Sequence, residues 1–220
     1  MTWLLLSLAL AESSSHRVVA IGDGLVAAPV EEVAVSDTIP GGWVAVLGDC
    51  LEERAPKAWT VLDRTKAGAT AASVHQRLGE VLEVHADLVL VGVGAMELAR
   101  SDDRASFEKE LMALVSDLRG DLQVMLVGMV APTVAQSPDQ TVGSQANLDA
   151  RTLSWNQALA KLARTDQGVS HLDLWTDWPK EDATRGQLTV GGFRLSDKGH
   201  ARVGTAVCDA ILSHGGLEEK

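Results

Sequence analysis

The chain has 220 residues, 46% of them hydrophobic and 22% charged, which is the size and balance of one globular domain with a sizeable core and excludes wholesale disorder. Its 19 Lys and Arg against 30 Asp and Glu give a formal charge of −11 with no basic run, so a phosphate backbone would be repelled and nucleic acid is excluded as a partner. Beyond the first residues, no segment approaches the roughly 18 apolar residues that a membrane-spanning helix needs.

The chain opens on Trp3-Leu4-Leu5-Leu6-Ser7-Leu8-Ala9-Leu10-Ala11, a short apolar run ending in small residues with an Ala-x-Ala pattern before Glu12. Residues 1–11 are expected to be a signal peptide, which would place the protein in the periplasm or outside the cell. No Lys or Arg precedes the run, so a cytoplasmic protein with an incidental apolar start is the alternative. A domain over 16–214 follows, with a frayed tail over 215–220.

Arg17–Gly22 reads as a strand covered on both faces, because Val18, Val19 and Ile21 are β-branched with few polar residues between them. Gly22, Asp23 and Gly24 then break it into a turn. Further strands are expected at Trp59–Asp63, Asp87–Val93, Leu122–Gly128 and Val169–Leu174. Between them run apolar stripes at helical spacing. The first is Trp43, Val44, Leu47 and Leu51; the second Val74, Leu78, Val81 and Leu82; the third Phe107, Leu111, Leu114, Val115 and Leu118. Leu148, Trp155, Leu159 and Leu162 make a fourth, and Val203, Val207 and Ile211 the last. Strict alternation of strand and helix implies parallel strands, right-handed crossovers and a three-layer α/β/α domain. Ala131–Ser144 and Trp175–Gly192 read as irregular segments after strands, overhanging the carboxyl edge where such proteins build their sites.

The turn Gly22-Asp23-Gly24-Leu25 resembles the first motif of the SGNH, or GDSL, hydrolases, Gly-Asp-Ser-Leu in the same strand-to-turn setting. The resemblance spans Arg17 to His214 and implies a flavodoxin-like, five-stranded parallel sheet with an acyl-hydrolase site at its carboxyl edge. Gly24 stands where the family has its nucleophilic serine, and glycine has no atom that could carry an acyl group. Asp23 is expected to cap the turn, with a ligand contact as the alternative. Gly68, in Asp63-Arg64-Thr65-Lys66-Ala67-Gly68, matches the glycine whose N–H faces the oxyanion; it is equally a turn glycine of positive φ. In Gly94-Ala95-Met96-Glu97 the family's Gly-x-Asn-Asp has Met96 for the asparagine, and a thioether cannot donate a hydrogen bond.

The family's last motif, Asp-x-x-His, falls on Gly191-Gly192-Phe193-Arg194, so Gly191 replaces the acid and Arg194 the imidazole. A rival register makes Asp197-Lys198-Gly199-His200 the Asp-x-x-His. Ser196 is a good N-cap, however, so His200 is expected inside the last helix. His16, His75, His85, His171 and His214 read as surface or structural histidines. Trp175 and Trp178 are expected to pack, with stacking on a ligand as the alternative. Cys50 and Cys208 match no metal spacing. In a flavodoxin-like layout the first and last helices share one side of the sheet, so the two could meet; buried free thiols are the expectation and a disulfide the alternative.

Four departures at the catalytic positions imply a hydrolase-fold protein that binds rather than reacts, or that serves in an assembly. Asp23, Gly24, Gly68, Glu97 and Arg194 would form the binding set, taking a small anionic, acyl or glycan ligand or a protein partner, with no cofactor and no metal. Arg194 is expected to pair with Glu97 or Asp23, or else to meet an anion together with the N–H groups of Gly24 and Gly68. Two alternatives remain: an active esterase with a displaced nucleophile such as Ser36, Ser73 or Ser101, and an unrelated flavodoxin-like binding domain.

Overall fold

The structure, a computed structural model, describes residues 15–23, 42–100, 102–118, 120, 122–130, 133, 144–190 and 194–213. The expected signal peptide, Gly24, Ser36, Ser101, Gly191, His214 and the tail lie outside them.

Five strands form one sheet: β1 (His16–Gly22), β2 (Trp59–Thr65), β3 (Leu88–Gly92), β4 (Gln123–Val127) and β5 (Val169–Leu172). Their order is β2-β1-β3-β4-β5 and every pairing is parallel, as the flavodoxin-like expectation requires. Successive side chains of a strand point to opposite faces, and each face here meets its own helices. Val19, Val89, Val91 and Leu126 pack with Phe107, Leu111 and Leu114 of α5 (Arg104–Leu118) and Trp155 and Leu159 of α6 (Gln145–Thr165). Val18, Ala20, Leu90 and Val127 pack with Trp43, Leu47 and Leu51 of α1 (Trp43–Arg54) and Val203, Val207 and Ile211 of α8 (Asp197–Ser213). Because both faces are covered, the central strands carry no alternation of polar and apolar residues for solvent. Among the described residues, no helix is long and apolar enough to cross a membrane.

Two local expectations are corrected. The second apolar stripe does not form one helix; it divides into α2 (Ala71–His75) and α3 (Gly79–Leu82), and Leu82 is 46% exposed. Gly79 interrupts the stripe, and tight turns such as Arg77 N–H to Val74 carbonyl replace the helical ladder, so Val74 and Val81 stay buried and Leu78 partly so, while Leu82 turns outward. A short helix α4 (Ala95–Ala99) also follows β3. The segment 175–192 is not irregular throughout: it contains α7 (Asp182–Leu188) and then β6 (Thr189–Val190), which pairs antiparallel with β7 (Arg194–Leu195). Its organiser is Arg185, fully buried, whose guanidinium donates to both carboxylate oxygens of Asp149 at 2.7 and 3.1 Å and to the carbonyls of Pro179 and Lys180. These bonds hold α7 and the preceding turn onto α6.

Cys50 and Cys208 are joined, which corrects the expectation of free thiols. The reason lies one turn away: a Cβ on Gly204 would come within 2.6 Å of both the Trp43 carbonyl and Val46, so its absence lets α8 lie against α1. Gly204 and Cys208 are four residues apart on one helix face, and the same close approach brings the two cysteine Cα atoms to 6.3 Å.

Two stability measurements test this frame. Cys50→Ser with Cys208→Ser is expected to lower the unfolding free energy by roughly 4–5 kcal/mol, because the link closes a very long loop; urea denaturation of the variant against the parent reads it. Arg185→Ala is expected to cost about 3–5 kcal/mol by leaving Asp149 half-buried without its cationic partner, with the Gln145 amide still donating to it, whereas Arg185→Met with Asp149→Leu should recover part of that loss in the same assay.

Candidate functional site

The site is built where β1, β2 and β3 end. β1 stops at Gly22, whose φ is +125° and whose backbone lies so close to β3 that a Cβ would sit 1.8 Å from the Gly92 carbonyl oxygen. Only glycine fits there. Beyond it, the Asp23 N–H donates to the Gly92 carbonyl at 3.0 Å and the Lys66 N–H to the Gly22 carbonyl at 2.8 Å, so the three turns are tied to one another past the end of the sheet. Asp23 is fully buried at this junction. Gly24, the next residue, is outside the described set.

Gly68 has φ +76°, so it is a turn glycine as well as the positional match to the family's second motif. Thr70 then caps α2: its hydroxyl accepts the Ser73 N–H, while the Ser73 hydroxyl accepts the Thr70 N–H. Ser73, one of the displaced nucleophiles considered, is thereby spent on a helix cap. On the other side, β3 runs through Gly94, where a side chain would strike Met129 and Phe107, into α4. Met96, 5% exposed, turns back so that its methyl carbon is 3.3 Å from where a Cβ on Gly68 would stand. Gly68 and Met96, the two positions read from the sequence as the oxyanion donors' places, are therefore neighbours, and one of them is a thioether.

Glu97 is buried beside them. Its carboxylate accepts the Ala71 N–H at 2.6 Å and the Gly94 N–H at 3.1 Å. Burial pushes its pKa up, and the two backbone bonds pull it partly back. The expected pair between Glu97 and Arg194 is not formed: both carboxylate oxygens are taken by backbone donors, and no ion pair joins the two residues. Arg194 is half-buried on β7, opposite Val190. A hydrogen bond of 3.0 Å between the buried hydroxyls of Thr133 and Thr189 ties this hairpin to the chain beyond β4. Gly191 is outside the described residues.

His200 lies inside α8, buried, and its Nδ1 accepts the Trp43 N–H at 3.2 Å. It satisfies an orphan donor at the start of α1 rather than pointing a free imidazole at the turns. The other described histidines are equally placed: His75 bonds Asp117 at 2.7 Å, His16 stacks on Trp59, His171 lies half-buried on β5, and His85 is in a left-handed turn. None of them is hydrogen-bonded to a serine among the described residues. Trp178 is packed into the core beside Leu174, as expected, and Trp175 carries the Lys180 ammonium over its ring at 3.4 Å. Among the described residues no cluster of His, Cys, Asp and Glu is placed to hold a metal ion.

A five-stranded parallel sheet in this order between two helical layers is a flavodoxin-like α/β/α fold, the architecture that SGNH hydrolases share. Solved structures agree: a lipase/acylhydrolase from Enterococcus faecalis matches with a TM-score of 0.70 at 18% identity, over 93% of this chain and 100% of that one. The acetyl xylan esterase AlAXEase matches at 0.70 and 19% identity, over 89% and 99%. A member of the lipolytic G-D-S-L family from Veillonella parvula gives 0.66 and 12%, over 90% and 99%. At such identities the likeness is one of fold. No curated protein is similar enough in sequence to count as a relative. The family profile of the GDSL-like lipase/acylhydrolases matches residues 20–202, and the chain belongs to that family.

The His200 contact makes stability depend on pH. Burial pushes the pKa of His200 down, against the opposing charge of Asp197, and burial does the same to His171. The unfolded chain binds the proton more readily, near pH 6.5, so this contribution is complete above that value and is lost as pH falls through the folded-state one. Urea midpoints are expected to drop between about pH 7.5 and about pH 5, and to drop less for His200→Gln, which carries no titrating group at that position.

Proposed function

We propose that this chain is a non-catalytic member of its family that works as a binding or assembly module. The observation that carries the reading is the Met96 methyl against Gly68, at the point where the family brings two hydrogen-bond donors to an oxyanion. Loss of one such donor costs about 100- to 1000-fold in turnover. Gly24 in place of the nucleophile and Gly191 and Arg194 in place of the acid and imidazole add losses on the order of a million-fold. With the Ser73 hydroxyl and the His200 imidazole committed to helix caps, the described residues lend no support to a displaced catalytic unit.

The ligand class that fits the residues is a carboxylate, free or as part of an acyl compound. Arg194 brings a permanent guanidinium not engaged by Glu97, and the Gly68 turn brings backbone N–H groups. An acylated sugar offers the same donors a neutral ester carbonyl, and a protein partner offers a carboxylate from an Asp or Glu side chain. The Cys50–Cys208 disulfide supports an exported protein whose residues 1–11 are a signal peptide, since such bonds persist in oxidising compartments.

A fluorophosphonate probe and a simple aryl acetate separate this reading from an active esterase: neither covalent labelling nor hydrolysis above buffer is expected, and a labelled serine would overturn it. Calorimetric titration with acetate, a fatty acid and an acylated sugar is expected to give heat for at least one. Arg194→Ala should weaken that binding roughly tenfold or more, as a hydrogen bond to a charged group is worth about 1.5–3 kcal/mol. An unchanged affinity would remove Arg194 from the site.

A further inference from the structure

Glu97 is a carboxylate with 6% exposure that spends its two oxygens on two different helices. One oxygen accepts the N–H of Ala71, the first residue of α2; the other accepts the N–H of Gly94, the residue that precedes α4. A carboxylate taken this far from water is costly unless its lone pairs are met by donors. Here both donors sit at helix starts, where negative charge is favoured.

The position matters more than the depth. Ala71 is three residues beyond Gly68, and Gly94 is two before Met96. At its other end the Gly68 turn is held by the Lys66 N–H to the Gly22 carbonyl and by the Ala69 N–H to the Lys66 carbonyl. The turn is thus pinned to β1 on one side and to Glu97 on the other. Glu97 alone among these contacts also fixes the start of α4, from which Met96 reaches back. The place of the Met96 methyl in the space beside Gly68 therefore depends on a distance that this one carboxylate sets. Aspartate, one methylene shorter, could not keep both bonds without moving a turn.

We propose that Glu97 is a positioning residue that locks the Gly68 turn to the Gly94–Met96 turn and so holds the Met96 methyl over Gly68, filling with a thioether the space where a ligand oxygen would otherwise approach. The function lies in what the lock excludes: a methyl group occupies the space beside the Gly68 turn and offers no hydrogen bond to a ligand polar group there. The inference concerns the spacing of two turns and holds whether or not the protein hydrolyses an ester.

The test follows the five methionines of the full chain by methyl carbon-13 labelling, with Met96 assigned through Met96→Leu. Glu97→Gln keeps the shape but turns an NH2 group toward one of the two N–H donors. The expected result is a shifted Met96 methyl signal and several-fold faster oxidation of Met96 by dilute peroxide, scored against exposed Met112, with the signal of Met125, on the opposite face of the sheet, unchanged. Glu97→Asp should lie between Gln and the parent. If the Met96 signal and oxidation rate stay at parental values while the melting temperature falls, Glu97 is a stabilising group only and the proposal is overturned. The unsubstituted protein gives a second reading that needs no variant to fold. On acidification, protonation of Glu97 should move the Met96 methyl signal with a midpoint above that of an ordinary carboxyl, and Asp102→Asn should lower that midpoint by removing the neighbouring charge. A Met96 signal that stays fixed down to the pH of unfolding would equally overturn it.

Discussion

The cleft depends on a single close approach. Gly22 and Gly92 end the two central strands with their backbones so near that no side chain fits between them. A residue with a Cβ at position 22 would drive β1 away from β3 or break the turn, because φ is also in the region closed to most side chains. With glycine there, the chain leaves β1 early enough for the Asp23 N–H to bond the Gly92 carbonyl and for the Gly22 carbonyl to take the Lys66 N–H. Three separate turns then share one small network. Every candidate group described, from Gly68 to Glu97, is placed relative to that network rather than to the sheet as a whole.

Much of the frame was legible in the sequence, for physical reasons that hold strand by strand. Val18-Val19-Ala20-Ile21 and Leu88-Val89-Leu90-Val91 are apolar without alternation because both faces are covered, and runs of that kind, separated by helical stripes, leave little choice of architecture. Trp43, Leu47 and Leu51, or Phe107, Leu111 and Leu114, repeat at the helical period and all are buried. What was not legible needed a partner distant in the chain. Cys50 and Cys208 sit on helices 158 residues apart, and only the bare flank at Gly204 brings them into reach. Arg185 in a charged segment carries no local sign of being buried, since its burial is made possible by Asp149 on another helix. The Val74–Leu82 stripe misled because four apolar positions at the right spacing say nothing about the glycine between them.

The site divides in the same way. The motif positions were read from the strand ends, and the structure sets the Met96 methyl beside Gly68. The partners of the side chains did not follow. Glu97 was expected to meet an arginine because opposite charges within reach usually pair, yet two backbone donors at helix starts satisfy it, and they ask for no entropy from a long cationic side chain. The scaffold is that of the hydrolase family, while beside the Gly68 turn stand a methyl group and a buried carboxylate. Fold and chemistry are set by different residues, and each can change while the other is kept.

The bond between Cys50 and Cys208 spans most of the chain, from the first helix of the domain to the last. A protease that severs the backbone anywhere between Leu51 and Val207 leaves two pieces still joined covalently, and also packed through the common core beneath them. Such a molecule survives a nick as one particle of full mass. Damage of that kind to a surface loop would leave both halves of the domain held at one fixed separation by the bond between their helices.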